Sequence, residues 1–101
     1  MAREYPSFDQ DLQEQLHEPE FAAAYYEAKR ELAFASSLIR AREVRGLTQT
    51  LLAEKLDSKQ PMIARWERGQ VPQVRSLKAL ANVLNARIVI APNDQIVIET
   101  L

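Results

Sequence analysis

The chain of 101 residues contains no cysteine and only two glycines. The first absence excludes disulfides and thiolate metal sites, so cysteine usage says nothing of redox environment. The second excludes the glycine-rich loops that cradle phosphates in nucleotide enzymes. The single histidine, His17, has no serine or carboxylate pair spaced to work with it, so no catalytic constellation is present and no enzyme is expected. Glu14 and Glu18 stand one helical turn apart, which fits a solvated acidic face better than a metal site. Neither a cofactor nor a metal is expected. No stretch approaches the roughly 20 apolar residues that span a bilayer. The N-terminal MAREYPSFDQDLQEQL lacks the apolar centre of a signal peptide, so the expectation is a cytoplasmic protein with no membrane partner.

What is present is a balanced composition, 47% hydrophobic and 27% charged, which suits one soluble domain with a modest core. The formal net charge of −1 hides a strong asymmetry. Residues 1–31 carry eight acids against three bases, a balance of −5, and residues 32–101 carry ten bases against six acids, a balance of +4. An acidic arm joined to a basic body implies two halves that meet different partners.

The apolar spacing predicts five helices. Ser7 is a candidate cap for a short helix to His17 with Phe8, Leu12 and Leu16 at intervals of four. Pro19 fits the first turn of a long helix running from about Glu20 to Arg45, whose stripe reads Phe21, Tyr25, Ala28, Leu32, Ala35 and Ile39. Gly46 closes it in a left-handed cap. Thr48 caps a helix from Gln49 to Leu56, the turn Asp57-Ser58-Lys59 follows, and Gln60 to Arg68 forms the next helix, ended by Gly69. Val74, Leu77, Leu80, Ala81 and Leu84 mark the last helix. The tail then changes period. Arg87-Ile88-Val89-Ile90 and Gln95-Ile96-Val97-Ile98 are β-branched runs around Ala-Pro-Asn-Asp, which reads as a hairpin. The expected organisation is an acidic helical arm at 1–31, a helical body at 32–86 and a hairpin tail at 87–101.

Two short helices joined by a three-residue turn at 47–69, behind a packed third helix, fit a helix-turn-helix. The run from Arg40 to Gly69 resembles the lambda-repressor-like, Xre-type helix-turn-helix family. The likeness rests on Arg42 six residues before Thr48, Gly-Leu-Thr-Gln at 46–49, Leu-Ala at 52–53 and Trp-Glu-Arg-Gly at 66–69, then Val-Pro and Leu77, Leu80-Ala81 and Leu84. The resemblance implies a mainly α fold, a lambda-repressor-like helix-turn-helix bundle, here with an N-terminal helical arm and a short C-terminal β-hairpin. It also implies binding to double-stranded operator DNA and a buried ion pair between Arg42 and Glu67.

The residues support the same roles. Thr48 and Gln49 sit at a helix N-terminus, where free N–H groups favour a phosphate oxygen. Ile63 and Trp66 face inward, which turns Lys59, Gln60, Pro61, Met62, Ala64 and Arg65 towards a major groove. Gln60 suits adenine and Arg65 suits guanine, while Met62 and Ala64 suit a thymine methyl. Lys59 and Arg68 are placed for phosphates, with Arg75 and Lys78 as further candidates. Pro61 departs from the family's small polar residue, stiffens the helix start and removes a phosphate donor. Against these roles stand plainer ones, with Gln60 as a surface residue and Arg65 paired to a nearby acid.

One recognition helix makes too little contact for tight binding, so a homodimer on paired half-sites is expected. Ile88, Ile90, Ile96 and Ile98 in the hairpin are dimerisation candidates, since pairing between chains removes open strand edges; folding back on the same domain is the other outcome. The acidic arm, the Pro-Glu-Phe-Ala-Ala-Ala-Tyr-Tyr-Glu-Ala helix start, the Xre motif and the β tail together resemble HigA-type antitoxins of bacterial type II toxin–antitoxin pairs. That resemblance implies an antitoxin that neutralises a small basic ribonuclease toxin from the same operon and represses that operon. Phe8, Leu12, Leu16, Phe21, Tyr25 and Tyr26 are the candidate toxin-binding residues, with packing onto the chain's own domain or a dimer core as their alternative. A stand-alone Xre-type repressor is the other reading of the whole chain.

Overall fold

The structure is a computed structural model that describes residues 8–101. The candidate cap Ser7 lies outside the described residues, as does the side chain of Phe8. Five helices are followed by a hairpin: α1 (Phe8–Gln15), α2 (Pro19–Val44), α3 (Gln49–Lys55), α4 (Gln60–Trp66), α5 (Val74–Leu84), β1 (Ala86–Ile90) and β2 (Ile96–Thr100). Among the described residues no helix is long and apolar enough to cross a membrane.

Each helix starts and stops for a local reason. Pro19 occupies the first turn of α2, where a missing N–H costs nothing. Thr48 caps α3 by accepting the Leu51 N–H at 3.0 Å. Three helices close in left-handed turns of the same kind. Gly46 (φ 70°), Asp57 (φ 56°) and Gly69 (φ 119°) follow α2, α3 and α4. In each, the next residue's N–H returns to a carbonyl in the last turn: Leu47 to Arg42, Ser58 to Ala53 and Gln70 to Arg65. Gly69 has a second reason to be glycine, because a Cβ there would lie 3.1 Å from Cβ of Glu31 on α2.

The core is built where α2, α3, α4 and α5 meet. Phe34, Leu38, Leu52, Ile63, Leu80 and Leu84 are fully buried, each contributing about 1.5–3 kcal/mol by leaving water. Ala41 and Ala53, also buried, let the helices approach closely. Trp66 belongs to this core and is 6% exposed, in line with its expected inward side. Val74, expected on the inner stripe of α5, is 67% exposed, because the core takes Leu77, Leu80 and Leu84, with Val83 beside them, from further along that helix.

The helix α2 corrects the sequence reading in phase. Its buried residues are Phe34, Ala35, Leu38 and Ala41, whereas Leu32 is 66% exposed and Ala28 is exposed. The expected stripe runs along the whole helix, but only the C-terminal half has a core to meet. The N-terminal half projects beyond it. The radius of gyration of 16.8 Å, against about 13 Å for a compact domain of 100 residues, reflects that projection. The expected boundary at 31/32 falls inside α2, so arm and body share one unbroken helix.

The hairpin folds back on its own domain. The strands pair antiparallel with Ile88 opposite Ile98, and a 3₁₀ turn at Pro92–Asp94 joins them. The second strand begins one residue later than expected and runs to Thr100, because the Ala91 N–H closes the loop on the Gln95 carbonyl at 2.7 Å. Ile98 is buried against α2, and its N–H donates to Ser37 Oγ at 2.9 Å. Ser37 in turn donates to the Phe34 carbonyl. Arg45, just past α2, ties three chain ends together: its guanidinium donates to the carbonyls of Leu84 (2.7 Å), Asn85 (3.0 Å) and Leu101 (3.2 Å). Hydrogen bonds from a charged donor are worth about 1.5–3 kcal/mol when partly buried, and two of these three are exposed. Arg45→Ala is therefore expected to cost about 2 kcal/mol in a urea unfolding experiment. Arg45→Lys recovers less than half of that loss, since an ammonium lacks the fork that reaches all three carbonyls.

Candidate nucleic-acid interface

Helices α3 and α4 pack against each other through Leu52, Ala53, Ile63 and Trp66, and this contact fixes which side of α4 remains outside. Lys59, Gln60, Pro61, Arg65 and Arg68 are exposed, and Ala64 is half-buried. Met62 is placed differently from the sequence expectation. It is half-buried, packs against the core, and lines a cleft with Leu56 and Trp66 on the side towards α5. The reason is helical spacing: Met62 stands one turn before the buried Trp66 and shares its side of the helix. Helix α4 ends at Trp66, so Arg68 lies in the closing turn rather than on the helix. Lys59 is its N-cap residue and makes no side-chain cap bond.

Behind this face runs a chain of polar contacts joining three helices. Arg42 on α2 donates from Nε to Glu67 Oε2 at 2.6 Å and from a terminal nitrogen to Glu67 Oε1 at 3.1 Å. Its other terminal nitrogen donates to the Leu47 carbonyl at 2.8 Å. The two side chains are 14% and 6% exposed, so the pair is largely withdrawn from water. The hydrogen bond to Glu67 holds the Arg42 guanidinium above its already high ordinary range and outweighs the loss of solvation. Its charge is therefore constant at any working pH. The expected partnership of Arg42 and Glu67 is present as a bidentate fork.

No periodic or local pattern signals what this pair supports. Gln49 donates from Nε2 to Glu67 Oε1 at 2.9 Å, and Gln60 donates from Nε2 to Gln49 Oε1 at 2.5 Å. Gln49, half-buried at the start of α3, thus connects the ion pair to Gln60, exposed at the start of α4. Among the described residues each amide's second Nε2 hydrogen has no partner, and Gln60 keeps its Oε1 as an acceptor. A glutamine held in this way presents one donor and one acceptor side by side, the pattern that the major-groove edge of adenine complements. Thr48 accepts the Leu51 N–H with its hydroxyl oxygen in the α3 cap and keeps its O–H as a donor. Thr50, exposed beside Gln49 and Gln60 in the same shallow groove, is a polar neighbour that the sequence reading passed over.

Removing one partner of a buried ion pair strands the other. Arg42→Met is expected to destabilise the fold by about 3 kcal/mol, because Glu67 is left withdrawn from water without a counter-ion. Arg42→Met with Glu67→Leu should recover most of that loss in thermal unfolding. The double variant still leaves Gln49 without its acceptor, so duplex affinity is expected to stay depressed when stability has returned.

The helix-turn-helix family HTH_3 matches residues 38–89, just over half of the chain, from the buried half of α2 through the two short helices and α5 into β1. No curated protein and no solved structure gives a match. The packed pair α3 and α4, the exposed polar start of α4 and this match have one meaning: the chain belongs to the HTH_3 helix-turn-helix family of DNA-binding transcriptional regulators.

Proposed function

We propose that this protein is the antitoxin of a toxin–antitoxin pair, a homodimer that reads its own operator through α4 and neutralises a small basic ribonuclease through its arm. The observation that carries the proposal is the two-part character of α2. Its C-terminal half is core of the DNA-binding domain, while its N-terminal half buries nothing in that core.

On the projecting half, Phe21 (37%), Tyr26 (40%) and Leu32 (66%) are exposed, with Tyr25 half-buried between them. The aromatic rings are already ordered among themselves. Phe21 stacks on Tyr25 at 6.2 Å, Tyr25 meets Tyr26 edge-on at 5.2 Å, and Lys29 Nζ lies 5.5 Å from the Tyr25 ring centre. Glu18, Glu20, Glu27 and Glu31 surround them, all exposed. An apolar surface rimmed by acids suits a basic protein, whose approach the opposite potential speeds. Leu12 and Leu16 in and after α1 are half-buried and add to this surface in the proposal.

For DNA, Gln60 reads adenine with Gln49 behind it, Arg65 reads guanine, and Ala64 meets a thymine methyl. Thr48, Lys59 and Arg68 hold phosphates, and Pro61 stiffens the approach. Met62, packed inward, supports the recognition helix from behind.

Two measurements test the proposal. Retardation of the operon's promoter fragment should weaken with salt, log K falling by about 0.9 per log unit for each phosphate held. Gln60→Ala should remove about 1–3 kcal/mol of discrimination at one base pair, whereas Lys59→Ala should weaken all sequences alike. In co-expression, the neighbouring gene should encode a basic protein that arrests growth alone and is harmless beside this chain. Replacing Phe21 and Tyr26 by serine should abolish that rescue while leaving duplex binding intact. A neighbour with no toxicity would reduce the protein to a stand-alone repressor.

A further inference from the structure

The two-stranded sheet has two outer edges, and they are not alike. In the hairpin ladder the Leu101 N–H bonds to the Asn85 carbonyl and the Ala91 N–H to the Gln95 carbonyl. With the register of the strands, this alternation sets Arg87 against Glu99 and Val89 against Val97 as the hydrogen-bonded pairs. The N–H and C=O groups of Ala86, Ile88 and Ile90 on β1 therefore point outward, as do those of Ile96, Ile98 and Thr100 on β2. On β2 the central outward N–H, that of Ile98, is taken by Ser37 of α2. On β1, among the described residues, none of the three outward positions has a hydrogen-bond partner elsewhere in the chain. This edge carries no proline, lysine or acid to blunt it.

We infer that β1 pairs antiparallel with β1 of a second copy across a two-fold axis at Ile88, which joins the two hairpins into one four-stranded sheet. The second copy as occupant follows from the register. Centred on Ile88, the two-fold lets Ile88 exchange both bonds with its own mate, and Ala86 exchange both with the mate of Ile90, so every outward group is used. Centred on Arg87, it sets two guanidinium groups opposite each other, which is destabilising. Centred on Val89, it leaves Ala86 unpaired. In the Ile88 register Arg87 lies across from Val89, and Ile90, 70% exposed in the single chain, stands beside the small side chain of Ala86. Such a contact is isologous and closes at two copies. It assigns the interface for the dimer proposed above and rests on the DNA reading only for its purpose, since a two-fold protein suits a two-fold operator. Ile98, by contrast, is committed to its own core.

Sedimentation equilibrium of the full chain without DNA reads the interface directly. The wild type should sediment at twice the chain mass. Ile90→Glu alters only an exposed side chain, so its helical circular dichroism should not change, while its dimer dissociation constant should rise by at least about tenfold. Because the chain has no cysteine, Ile88→Cys reports on the axis itself. Hydrogen-bonded antiparallel positions lie about 5.5 Å apart at Cα, inside the disulfide range of about 4.4–6.8 Å. Air oxidation should then link two copies, whereas Leu32→Cys on the arm should not link. A single-chain mass at about 100 μM overturns the inference, and so does a dimer that Ile90→Glu leaves intact and Ile88→Cys fails to link. A single chain that still retards the operator fragment removes this interface and spares the DNA reading. A β1-linked dimer that retards no fragment at low salt does the reverse.

Discussion

Much of this molecule depends on one buried ion pair. Arg42 comes from the long helix and Glu67 from the end of α4, and their fork sets where the recognition helix stands relative to the rest of the core. A pair withdrawn from water is a weak source of net stability, because desolvation opposes the attraction. Its contribution here is positional. Glu67 spends a lone pair on Gln49, and Gln49 accepts from Gln60, so the ion pair sets the direction of an exposed amide two contacts beyond Glu67.

The same helix that supplies Arg42 also supplies the arm. Because α2 is continuous through residues 31 and 32, the projecting half is a rigid extension of the core rather than a tethered peptide. Glu31 lies where this helix passes the turn closing α4, so close that a Cβ on Gly69 would stand 3.1 Å from its own. Arg45 closes the opposite end of the helix onto α5 and the tail. The C-terminal half of this one helix thus carries Phe34, Ala35, Leu38 and Ala41 into the core and Arg45 to the far end of the body.

Most of the fold was legible because local signals and tertiary packing agree. Thr48, Gly46, Gly69 and the two prolines at helix starts act through their own backbone neighbours, and each helix end fell within about two residues of its expected place. The Arg42 and Glu67 partnership was legible only through family resemblance, since residues 25 apart carry no periodic signal. Three features were misread or missed for a common reason. The phase of the α2 stripe, the inward turn of Met62 and the three carbonyls held by Arg45 all depend on which neighbour lies alongside. Periodicity identifies an apolar face without saying what covers it.

The sequence by itself determined the order and kind of the elements, the charge division between arm and body, and the residues that a helix-turn-helix presents. These follow from capping chemistry, backbone restriction and spacing, which act over a few residues. Only the tertiary structure decided that the tail folds back through Ser37 and Ile98, that Ser37 takes the central outward N–H of β2, and that Gln60 is held through Gln49 by Glu67. Those outcomes depend on groups brought together from 11 to 61 positions apart, and no local preference encodes a distance of that kind.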